Sequence, residues 1–228
     1  INLTATGSAV NELTIANAGT GVTGPVISAS GETNVGINVD PKGTGIFKSG
    51  GNAVKIAGLE TMWVPASAMY GPTTNPADAA QVETTAARPD LKVFDFDAST
   101  VQYTQFSVAF PKSWNEGTVT YQVYWSPSTT NTGNCIFAMQ GVSVGDGDTI
   151  DVAYGTQQNI TDAGIGTVED QQVSPISSAL TIAGSPAESQ QTYFQFFREA
   201  SSGADTFTGE SRVLGVKIFF TTDAANDA

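Results

Sequence analysis

Three kinds of side chain in this sequence stand at spacings that support chemistry: paired carboxylates, aspartates clustered around glycine, and aromatic rings beside prolines. Asp95 and Asp97 alternate with Phe94 and Phe96, so on a strand both carboxylates share one face and the rings share the other. A glycosidase needs two carboxyl groups facing a sugar at a set separation, one of them with a raised pKa. Glu116 is a third acid available for such a role. Every strand supplies this spacing by default, so a solvated face or strand end is the stronger reading. Asp146, Asp148 and Asp151 place hard oxygen donors at near-alternate positions, as calcium loops do. The full EF-hand pattern is absent, and an ordinary Asp-Gly turn ahead of a strand is the simpler reading. No metal site is expected.

Trp63, Tyr70 and Trp114 are the candidate ligand-binding residues. They lie near Pro65, Pro72 and Pro111 at loops or strand ends. There an indole or phenol can stack on a sugar face while small polar neighbours bond to its hydroxyls. For Trp63 and Trp114, packing in the core or against another subunit competes with this role and carries more weight. Trp125 falls on the apolar face of its strand and reads as core. The single cysteine, Cys135, opens the apolar run Cys135-Ile136-Phe137-Ala138-Met139, where a buried, inert thiol is expected. It can form neither an internal disulfide nor a CxxC site.

The absence of histidine excludes Ser-His-Asp and Cys-His nucleophile systems, His-ligated zinc and imidazole proton shuttles. Gly43-Thr44-Gly45 is not followed by the Gly-Lys-Ser/Thr of a phosphate loop. No cofactor is expected, and the chain reads as a non-enzyme. Its net charge of −13 argues against nucleic acid, whose phosphates require a basic face, and against anionic membranes. No apolar run approaches the ~18–20 residues of a membrane span, and no secretion signal is evident at the start. Beginning at Ile1 rather than Met, the chain is expected to be processed or to be a portion of something longer.

The elements that must position these residues differ between two parts of the chain. Residues 1–60 hold 11 of the 24 glycines, three Lys against four acids, and one aromatic, Phe47. Their apolar residues come in short alternating groups, Leu13-Thr14-Ile15, Val35-Gly36-Ile37-Asn38-Val39 and Val54-Lys55-Ile56, bounded by Gly, Asn, Pro or Ser. Period two over such runs means brief strands joined by tight turns. Strands this short cannot bury enough surface alone, so the segment is expected to be a stem stacked on copies of itself or on a partner. A flexible N-terminal linker is the alternative.

Residues 61–228 read as an antiparallel β-sandwich or jelly-roll head. Val119, Tyr121, Val123 and Trp125 alternate with mostly polar neighbours, and Leu214, Val216, Ile218 and Phe220 do the same. Other expected strands are Phe106–Phe110, Leu91–Asp97, Cys135–Val144, Ile150–Ala153, Ala179–Ile182 and Thr192–Arg198. Turn signals separate them, among them Asn115-Glu116-Gly117 and Gly145-Asp146-Gly147. Asn75–Arg88, with Pro76 and several alanines, reads either as a short helix or as an extended loop.

The stretch Asn34-Val35-Gly36-Ile37-Asn38-Val39-Asp40-Pro41-Lys42-Gly43-Thr44-Gly45, followed by Phe47 and Asn52-Ala53-Val54, resembles the N-x-x-I-x-x-x-P-K-G-T-G signature of stem regions in tailed-phage fibre proteins. The rest resembles a β-domain of environmental phage virion proteins, marked by Met62-Trp63-Val64-Pro65-Ala66, Phe94-Asp95-Phe96-Asp97, Pro111-Lys112-Ser113-Trp114, Val123-Tyr124-Trp125-Ser126, Gly145-Asp146-Gly147-Asp148 and Leu214-Gly215-Val216-Lys217-Ile218-Phe219-Phe220. The resemblance implies an all-β virion appendage on the tail or capsid surface: an intertwined homotrimer, joined to other virion proteins through its N-terminal end, whose head meets a host-surface glycan. A capsid head fibre or decoration protein, a secreted carbohydrate-binding module or adhesin, and a glycan-cleaving enzyme using paired carboxylates are the alternatives.

Overall fold

Most short apolar runs separated by Gly, Asn and Pro fold here as strands, and among the described residues the helical structure is one 3-10 turn at Ala66–Ala68. The computed structural model describes residues 12–16, 26–31, 33, 35–37, 39, 47–49, 52–54 and 58–223. The chain divides into two compact units, Ile1–Val54 and Lys55–Ala228. Residue 60, expected as the boundary, falls inside a strand of the second unit.

In the first unit, β1 (Glu12–Ala16) pairs antiparallel with β2 (Val26–Ser30), and β3 (Lys48–Ser49) with β4 (Asn52–Ala53). Ile15 faces Ile27 across the ribbon, and both are exposed, at 71% and 59%. Ile37, Val39, Phe47 and Val54 are exposed as well. The described members of the run 35–39 form no strand, contrary to expectation. Residues 34, 38 and 40–46 of the stem signature lie outside the described residues.

The second unit is a sandwich of two antiparallel sheets. Its strands are β5 (Gly58–Pro65), β6 (Asp78–Val82), β7 (Leu91–Phe96), β8 (Tyr103–Ala109), β9 (Trp114–Pro127), β10 (Asn134–Val144), β11 (Gln158–Ala163), β12 (Gln172–Val173), β13 (Gln191–Arg198) and β14 (Ser211–Thr222). One sheet runs β11-β10-β13-β8; the other runs β12-β9-β14-β7-β6, with β5 also on β14. All-β architecture of the sandwich, jelly-roll kind is therefore the fold of this unit. Alternation drives it: Tyr121, Val123 and Trp125 of β9 and Val216, Ile218 and Phe220 of β14 turn inward. They meet Phe137 and Met139 of β10 and Phe194 and Phe196 of β13. Trp125 packs edge-on against Phe137, 5.5 Å between centroids, and Phe137 stacks on Phe196 at 5.7 Å. Each such pair contributes about 0.5–1.5 kcal/mol beyond its buried area.

Several expectations need correction. The segment 75–88 is neither helix nor loop throughout, because Asp78–Val82 pairs along the free edge of β7. Asn75 adopts a left-handed φ of 48, and its carbonyl accepts from Tyr103 N. Asn115-Glu116-Gly117 does not end a strand; Glu116, at φ 59, sits inside β9. Ile150–Ala153 carries no strand, and Leu180 makes only an isolated bridge to Val119. Strands β5, β11 and β12 are additions to the expected set.

Candidate functional site: a forked aromatic groove

β14 changes partner along one edge. Ser211, Arg212 and Val213 pair with β7, while Gly215 onward pairs with β5. The register on its other edge slips between Val213 and Gly215, a β-bulge at Leu214. The edge is therefore forked, with β5 and the 3-10 turn on one side and the start of β7 on the other. A groove of about 570 Å³ opens there, within the range of ligand pockets.

Trp63 of β5 forms its aromatic wall. Met62 and Val64 belong to the core side of that strand, so Trp63 faces outward and is 48% exposed. Its ring meets Tyr124 of β9 edge-to-face at 4.9 Å and 77°. Leu214 adds apolar lining, and Ser67 and Gln171 add uncharged hydrogen-bonding groups. Two ammonium groups complete the lining, Lys217 from β14 and Lys92 from β7. Lys92 Nζ donates to Gln81 Oε1 at 3.2 Å, and Lys217 Nζ lies 5.1 Å from the Phe219 ring centroid. An indole standing in water beside amide, hydroxyl and ammonium groups is equipped to stack on a pyranose and bond its hydroxyls.

The other two candidates lie elsewhere. Tyr70 is 47% exposed but belongs to the opposite sheet, where its backbone exchanges hydrogen bonds with Gln105 and covers the free edge of β8. Burial and nearby Tyr193 raise its pKa; burial and the same group of phenols raise that of Tyr154. Trp114 requires correction: it is 3% exposed and stacked on Phe110 at 4.3 Å, so neither ring face is open to a sugar. Trp125 is core, its Nε1 donating to Asp162 Oδ2 at 2.8 Å. Tyr124, absent from the sequence candidates, is a polar-face position of the clearest alternating strand; that outward parity was the available signal.

The carboxylate pair is split. Asp97 lies past the end of β7, where Oδ1 accepts from Ser99 N, Ser99 Oγ and Thr100 N, each at 2.7 Å. These bonds hold its carboxyl below the usual range. Asp95 faces Arg212 at 3.8 Å, and burial, reinforced by Glu210 and Asp78 and opposed by Arg212, pushes it up to about 6. Glu116 accepts from Glu188 N at 3.1 Å at the margin of a different, polar cleft. In the glycine-aspartate stretch, Asp148 Oδ2 accepts from Gly145 N at 3.1 Å, closing a turn with Gly147 at φ +82. Among the described residues no group of three or more acidic, cysteine or histidine side chains is placed to hold a metal ion. Cys135 is fully buried, and desolvation pushes its thiol up to about 12.

No protein-family model matches the chain, and no curated protein does. Among solved structures, it is similar to one of infectious bursal disease virus, Gx strain, at 11% identity and a TM-score of 0.38, over 89% of this chain and 42% of that one. A CocE/NonD family hydrolase from Staphylococcus aureus aligns at 11% identity and 0.34, over 75% and 35%. TmCBM61 in complex with β-1,4-galactotriose aligns at 13% identity and 0.26, over 72% and 84%. The chain spans about two fifths of the length of the viral protein. These likenesses are too distant to bear on function.

Proposed function

We propose that this chain is a non-enzymatic surface-attachment protein of a virion, a homotrimeric fibre whose β-sandwich head binds a host-surface glycan in the Trp63 groove. The observation that carries the binding role is the half-exposed Trp63 ring, held edge-on by Tyr124 and lining a groove together with polar and ammonium groups. An indole left in water is costly unless something covers it, and sugars offer C–H faces for stacking with hydroxyls for the polar groups. Exposed apolar side chains on the β1–β2 ribbon support assembly through the first unit, because a two-stranded ribbon is marginal alone. The stem signature supports the virion assignment.

The experiment is retention on an immobilised glycan panel by the full chain and by Trp63→Ala. The reading expects at least one glycan class to retain the wild type and Trp63→Ala to lose roughly tenfold or more in affinity, equivalent to about 1.4 kcal/mol. Equal retention of both proteins, or of neither, contradicts it.

A further inference from the structure

The chain has nine Lys and Arg against 22 Asp and Glu. Of the six cations in residues 61–228, Arg198 is buried against Asp205, and Arg212 lies between Asp95 and Glu169. Lys112 shares its cleft with Glu116, Glu188 and Asp223. Arg88 is exposed on the segment between β6 and β7, and like Lys92, Lys112 and Lys217 it is in no ion pair among the described residues; what sets Lys92 and Lys217 apart is that both line the Trp63 groove. The groove lining contains no acid. In a molecule this acidic, two cations without acidic partners beside one aromatic platform form a local exception in the surface charge.

Resting on the glycan reading above, we propose that the groove selects an anionic pyranose chain, with Trp63 stacking on one ring and Lys92 and Lys217 pairing with its carboxylate or sulfate groups. Charge complementarity selects this occupant. The acidic excess elsewhere repels a polyanion, so attraction is confined to the groove and the chain must engage both lysines to be held. Ammonium groups are compact point charges that suit carboxylate and sulfate alike; the source of the negative charge is therefore left to the test. A neutral glycan would leave two hydrated ammonium groups to be partly stripped of water without compensation.

The test measures affinities of the full chain for polygalacturonate and for a sulfated galactan, each against its carboxyl-reduced or desulfated derivative, which preserves the linkages. At least one polyanion is expected to bind roughly tenfold more tightly than its neutral derivative, and the pair that shows the difference identifies the charged group. Lys92→Gln together with Lys217→Gln should remove that difference, and Lys92→Arg with Lys217→Arg should restore most of it. Unchanged thermal midpoints establish that the variants fold. A neutral derivative bound as tightly as its parent, a glutamine variant that retains the difference, or binding of neutral glycans alone overturns the inference while leaving the glycan reading in place. Glycan binding that ignores Trp63→Ala, or no glycan binding at all, overturns both.

Discussion

The indole of Trp63 lies across the backbone of Gly215: a β-carbon there would come within 2.6 Å of Cη2 and Cζ2 of the ring and of the Val64 carbonyl oxygen. Gly215 also follows the bulge at which β14 changes partner. One glycine thus lets β5 approach and lets the ring sit over its backbone while meeting Tyr124 edge-to-face. Gly215→Ala is expected to cost about 1–3 kcal/mol, the range for forcing extra volume into a packed site, and to displace Trp63. Chemical denaturation and the tryptophan emission spectrum check both. Unchanged stability with unchanged emission would contradict the close approach.

Asp95 gives the second unit a pH dependence of defined sign. Its folded-state pKa of about 6 lies above the ordinary 3.8, so the folded protein holds this proton more tightly than the unfolded chain does. The contribution is intact below about pH 4 and is lost as pH rises to about 6. The carboxyl is partly solvated, so the loss is on the order of 1 kcal/mol. Asp95→Asn should raise stability at pH 7.5 by about that amount and flatten the decline between pH 4 and 6, read from urea midpoints across pH. Asp97 acts in the opposite sense: its lowered pKa favours the folded state above about pH 4, and that contribution fades at lower pH. A steeper decline in Asp95→Asn would contradict the assignment.

Arg198 is a fully buried hub. Nε and Nη2 donate to the two oxygens of Asp205 at 3.0 and 2.7 Å, and further bonds reach the carbonyls of Gly209 and Phe207. Asp205 Oδ2 also accepts from Ile136 N at 2.9 Å, so the pair ties the loop after β13 to the start of β10. Removing the cation strands a buried carboxylate, and Arg198→Leu should lose about 3–5 kcal/mol or fail to fold. An Arg198→Leu midpoint within experimental error of wild type would contradict this role.

Ile15 and Ile27 face each other, both exposed, on the β1–β2 ribbon. In the proposed trimer copies would cover these apolar faces, and the full chain should then sediment at three times the 23.6 kDa of one chain. Ile15→Asp with Ile27→Asp should shift it toward monomer, because charges buried at such an interface are costly to desolvate. A folded wild-type monomer would contradict the trimer.

The inner faces of β9, β10, β13 and β14 were legible because alternation there is long and aromatic-rich. β6 was not: alanines carry little strand preference, and Ala79 and Ala80 are strand residues only because β7 offers an open edge. β11 and β12 were missed for the same reason, since Gln, Asn and Asp give no apolar period and tertiary pairing decides. Trp63 was singled out by its proline neighbours, but so was Trp114, and local sequence carries no sign that Phe110 covers one and water reaches the other. The groove itself depends on β14 changing partner from β7 to β5, both of which precede it by more than a hundred positions, a relationship that no short window of sequence contains.

Whether a glycan sits on Trp63, as proposed, can be read directly from the tryptophans. Trp114 and Trp125 are 3% and 0% exposed against 48% for Trp63, so acrylamide quenching of the native emission reports chiefly on Trp63. Quenching measured with and without a saturating bound glycan should show Trp63 protected, and Trp63→Ala should show little quenching in either state. A glycan that binds while Trp63 remains as quenchable as before would contradict the account.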